Sequence, residues 1–223
     1  MKTAYTAKFA GLLYLLLGLL GAFSIAYVPT FIYVPGNASN TLANILEAPF
    51  LFRASIASGL LHKIVFVCLI FVLFDLFERY GKIAAGLMVT FAVTSVPIYF
   101  IVMLNLYDVV SLLSVVEIKQ IVISNIKAYL TGLKFVSVFW GLWLIPFGYL
   151  ILKSNAVPRI IGLMLIVGGI GYLLNFFGPL LMPNIYKGEI LSMLMASISA
   201  IGELTVALWL LIKGVRVTEY NRC

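Results

Sequence analysis

The chain has 223 residues, of which 63% are hydrophobic and only 10% charged; an ordinary globular domain carries roughly 45–50% and 25%. So few charges cannot cover so much apolar surface in water, which excludes a soluble enzyme, a disordered tail, a nucleic-acid module and a disulfide-rich secreted domain. The net charge of +7 does not bring nucleic acid back as a partner, because the basic residues scatter at the ends of apolar segments, as they do in membrane proteins.

Six apolar runs are each long enough to cross ~30 Å of hydrocarbon at ~1.5 Å per residue. The first covers about 9–28 and is expected to end before Pro29. Lys2 and Lys8 ahead of it resemble a signal peptide, but no charge interrupts the chain from Phe9 to Leu46, and the run reads as an uncleaved first helix. Residues 29–46 hold no Lys or Arg and form an extracytoplasmic loop, in which Thr41–Glu47 is read as a short surface helix before Pro49. The second run, about 50–77, is read as one helix straight through His62 and Lys63. No turn cluster accompanies those two residues, and a lipid-exposed break would strand backbone groups at several kcal/mol each.

The third run is about 83–106, with Pro97 inside it, and the fourth about 128–152, with Lys134, Trp140, Trp143 and Pro146. The fifth, about 158–180, opens on Pro158, favourable in a first turn, and its glycines 168, 169 and 171 permit close helix approach. The sixth is about 190–212, where Ser192, Ala196 and Ala200 form a small-residue stripe adjoining Glu203. Gly18 and Ala22 in the first run, and Ser55 and Gly59 in the second, have the same spacing. Continuous runs of this length exclude barrel strands, which alternate and are about half as long. The expectation is an all-α, polytopic transmembrane helical bundle with six membrane-spanning helices, a single domain over 1–223.

Orientation follows from Lys and Arg. With the N-terminus inside, the inner side holds Lys2, Lys8, Arg79, Lys82, Lys153, Arg159, Lys213, Arg216 and Arg222, nine residues, against Lys119, Lys127 and Lys187, three residues, outside. This bias places both termini in the cytoplasm of a multi-pass inner-membrane protein. Cys68 and Cys223 fit neither a disulfide framework nor a zinc site, and the single histidine, His62, cannot build a poly-His centre. No metal and no cofactor is expected.

Intramembrane ionisable residues are the first candidates for a site, since each is expensive at the bilayer centre. Lys63 lies thirteen positions after Phe50 and Glu203 fourteen after Glu189, so the two share a depth and are expected to pair. His62, about 100° round the helix from Lys63, can join them. The plainer alternative is a pair that only holds two helices together. Arg53, like Lys134, lies within two turns of the outer surface, where long cations reach to the interface.

The second half carries a more specific pattern. Gly141-Leu142-Trp143-Leu144, Gly148-Tyr149-Leu150, Lys153-Ser154, Pro158-Arg159, Gly168-Gly169-Ile170-Gly171-Tyr172 and Gly202-Glu203-Leu204 follow Gly11-Leu12-Leu13-Tyr14-Leu15 and Leu51-Phe52-Arg53. Together these resemble a bacterial integral membrane family known as domain of unknown function 4386. The resemblance implies six helices and makes Arg53 and Glu203 the matched polar positions; His62-Lys63 is not part of its pattern. The candidate site is thus a polar cluster of Glu203, Lys63, His62 and Arg53 that binds or moves a small molecule, lipid or ion. The alternative is a non-catalytic accessory or stress-related protein with purely structural buried charges. The sequence leans away from an enzyme, since it holds no His-Glu-x-x-His and no Gly-x-Ser-x-Gly. Membrane lipids are the expected partners, with a small-molecule or lipid ligand and no nucleic acid.

Overall fold

The computed structural model describes residues 2–112, 119–184, 186 and 189–215, which are all-α with no strand among them. Lys187, Arg216, Arg222 and Cys223 lie outside the described residues, as do the side chains of Lys2, Lys119, Ser192 and Ala196. Among the described residues, six helices are long and apolar enough to cross a membrane.

Helix α1 starts as an α-helix over Lys2–Gly21, widens to a π-helix over Ala22–Tyr27 and closes α-helically over Val28–Ile32. It therefore runs past Pro29. The Val28 N–H reaches back five residues to the Phe23 carbonyl, and the proline then falls in the first turn of the closing segment, where its missing N–H costs no helical bond. Asn37 caps α2, Ala38–Glu47, by accepting from the Asn40 N–H at 3.0 Å. The buried Thr41 hydroxyl accepts from the Val34 N–H at 3.0 Å, and Asn44 donates to the Phe31 carbonyl at 3.0 Å, so α2 is tied to the end of α1.

Helix α3, Pro49–Phe77, is unbroken over 29 residues, through His62 and Lys63. Then come α4, Lys82–Leu112, α5, Lys119–Ser154, α6, Arg159–Leu181, and α7, Glu189–Ile212. Only a short link joins α5 to α6. Asn155 adopts a left-handed backbone there and its side chain accepts from Arg159 Nε at 3.0 Å. Leu19, Phe50, Ile83 and Ile101 each expose 66–83% of their surface, ordinary on a face that meets lipid.

Contacts divide the chain into two units, one within residues 1–15, 66–95 and 137–223, the other within 16–65 and 96–136; the boundaries fall inside α1, α3, α4 and α5. In the first unit glycines set the helix spacing. A Cβ at Gly141 would stand 2.5 Å from the Gly169 carbonyl oxygen, and one at Gly148 2.5 Å from that of Gly162. Each pair is reciprocal, and the two lie seven residues apart on both helices, as an antiparallel seam requires. Gly168 meets Ser199 of α7, and Gly11 of α1 meets the α7 backbone at Ala207 and Leu211. In the second unit Gly59 makes room for the Tyr99 hydroxyl, whereas Gly18 has nothing within 4 Å of where its Cβ would be.

Opposite outcomes follow at two glycines. Gly169→Ala should lower stability by about 1–3 kcal/mol, because backbone must move. Gly18→Ala should be neutral or raise it by up to about 1 kcal/mol through helix propensity. Thermal unfolding in detergent compares the two directly.

Candidate functional site

In the first unit Glu203 of α7 is half-buried, and each of its oxygens accepts a hydroxyl proton. Tyr14 of α1 donates to Oε2 at 3.1 Å. Ser199, one turn earlier on the same face of α7, donates to Oε1 at 3.2 Å. The Tyr172 hydroxyl of α6 stands beside Ser199 and near Glu203. Three helices thus bring a carboxylate, two phenols and an alcohol to one place.

Local packing fixes those donors. Ser199 is fully buried against Gly168. Tyr14 is buried too, its ring 6.3 Å from Trp143. Trp143 stacks on Phe147 at 5.4 Å and takes the edge contact of Phe66 at 5.3 Å, while Trp140 meets Tyr172 at 6.3 Å. The two bonds to Glu203 are long for hydroxyls on a carboxylate, ordinarily ~2.5–2.7 Å. Chemically this is an anionic oxygen site met by hydroxyls, with aromatic rings nearby. Among the described residues no group of three His, Cys, Asp or Glu could hold a metal.

The second unit holds a different cluster. Lys63 is 1% exposed, with its Nζ 4.7 Å from the centre of the Tyr99 ring, a cation–π contact. The His62 ring meets Tyr99 edge-on at 6.4 Å; its Nδ1 makes no hydrogen bond among the described residues, and its Nε2 faces Gly21. The Tyr99 hydroxyl stands beside Ser24 without forming a hydrogen bond of good geometry. Arg53 is exposed, ten residues or ~15 Å from Lys63 along α3.

His62 and Lys63 both meet the Tyr99 ring, Arg53 lies ten residues away on the same helix, and Glu203 accepts from Tyr14 and Ser199. Tyr14, Tyr172 and Tyr99 are site residues that the sequence does not single out. Ser199 carries a usable signal, being four residues before Glu203. Tyr14 and Tyr172 stand in the motifs quoted above, but nothing local ties them to the carboxylate, which Tyr14 bonds from 189 positions away.

A family model described as Domain of unknown function (DUF4386) matches residues 9–214. The chain belongs to this family. It is also similar to an uncharacterized protein from Archaeoglobus fulgidus, 30% identical over 97 residues that cover 44% of this chain and 55% of that one. The matched stretch thus spans about half the length of that relative. No solved structure matches. A DUF4386 member with this geometry should couple Tyr14 to Glu203. Tyr14→Phe and Glu203→Gln, singly and together, should give a coupling of about 0.6–1.7 kcal/mol in a double-mutant cycle on stability, the span for hydrogen bonds between membrane helices.

Proposed function

We propose that this is an inner-membrane protein with both termini cytoplasmic that binds, and in binding moves, a small cationic solute or ion at Glu203. The observation that carries the reading is a carboxylate inside a spanning helix whose two oxygens are met by the hydroxyls of Tyr14 and Ser199. Carboxylate and hydroxyl oxygens are hard donors suited to alkali cations, and the Trp143 and Tyr172 rings nearby suit an organic ammonium ion. A carboxylate inside a spanning helix is costly to keep without a use. A second reading has its own support: both carboxylate oxygens already have partners within the chain, as in a site that only holds helices together.

Two measurements separate these readings. Purified protein should gain thermal stability with Na+, K+ or choline, by about 2.7 kcal/mol at a hundred times the dissociation constant. Glu203→Gln should stay folded and lose that response. Equal responses from both proteins, or none, would leave the structural reading standing. For topology, a membrane-impermeant thiol reagent added outside cells carrying Cys68→Ser should label Ser39→Cys and spare Cys223. The reverse pattern would overturn the orientation.

A further inference from the structure

Away from Glu203, the second unit carries an open groove of about 600 Å³ along the seam between α1 and α3. Its floor is made of small side chains, Ala54, Ala57 and Ser58 of α3. The Ser58 hydroxyl is already spent on the Leu20 carbonyl at 3.0 Å, so the floor presents nothing that needs water. Phe50, Leu61 and Phe23 raise the walls, and Phe23 stands in the π-helical turn of α1. Among the described residues the single charged one lining the groove is Arg53, and no acidic side chain lines it.

The dimensions match a lipid chain. Arg53 lies four residues, ~6 Å, from the start of α3, at head-group level for a spanning helix. From Arg53 to Leu61 the groove runs eight residues, ~12 Å, close to the depth of one leaflet in a hydrocarbon core of ~30 Å. Its volume lies in the range of roughly 300–1,000 Å³ that takes one ligand-sized molecule. An arginine presents several donors to a phosphate in fixed geometry. Reaching to the interface alone would explain Arg53, but not a floor of alanines beneath it.

We infer that this groove is a binding site for an anionic phospholipid, with one acyl chain along the Ala54–Ala57–Ser58 floor and the phosphate on Arg53. The acyl chain completes the α1–α3 seam with hydrocarbon where the protein supplies no side chain. An uncompensated arginine favours a head group without a cation of its own, so phosphatidylglycerol binds in preference to phosphatidylcholine.

Native mass spectrometry of the full chain, released from nanodiscs holding equal phosphatidylglycerol and phosphatidylcholine, tests this. One phosphatidylglycerol should be retained preferentially. Arg53→Gln should cut that preference about tenfold, as the loss of a hydrogen bond to a charged group predicts. Ala57→Phe, at an exposed position on the groove floor, should cut retention of both lipids by filling the chain's place. Thermal unfolding confirms that both variants are folded, and either one alone suffices for the test. Equal retention of the two lipids by the unaltered protein, or full retention by Ala57→Phe, overturns the inference. So does displacement of the lipid by millimolar inorganic phosphate, which would make Arg53 a site for the free anion.

Discussion

Lipid gives helices no hydrophobic reason to associate, since a leucine is as comfortable against an acyl chain as against another leucine. What remains is close van der Waals approach and satisfied polar groups, and this chain uses both. Glycine lets α5 and α6 touch backbone to backbone at Gly141–Gly169 and Gly148–Gly162, and lets α1 touch α7 at Gly11. Everything else in the first unit depends on those approaches. With larger residues there, the Tyr14 hydroxyl would not reach Glu203, nor would Tyr172 stand beside Ser199.

The charged groups inside the spanning helices are handled in two ways. Glu203 is met by hydroxyls, which accommodate a negative oxygen and can turn to accept when a proton or cation arrives. Lys63 is met by the face of Tyr99, whose ring offers electron density to the ammonium. Both devices help to keep an ion inside a helix.

Much of this was legible in the sequence, and the limits have physical causes. Six spans and the unbroken passage of α3 through His62 and Lys63 follow from the requirement that lipid-exposed backbone satisfy its own hydrogen bonds. Glycines 168, 169 and 171 are contact points, as their cluster suggests, while Gly18, with the same four-residue spacing to Ala22, touches nothing. Spacing reports a possible face and not what opposes it. The end of α1 was not legible, because a proline normally stops a helix and only the π-helical turn before it removes the obstacle. The tyrosines around Glu203 were hidden for the same reason as any long-range partner: no local pattern links positions so far apart. The pairing of Lys63 with Glu203 rests on equal depth alone.

The mirrored glycine pairs also limit how the first unit can move. Packed helices commonly rearrange by shear, one sliding along another by small steps. Here a slide of one turn would carry both α5 glycines off their α6 partners together and drive side chains into backbone at two levels. The link of Asn155 to Pro158 is too short to absorb the offset. The part of α5 from Ser137 onward and α6 are thus held in one register by the two glycine pairs. Adjustment around Glu203 is left to the seam made of rings, Tyr14 against Trp143, where rotation about side-chain bonds changes the spacing without moving any backbone through another.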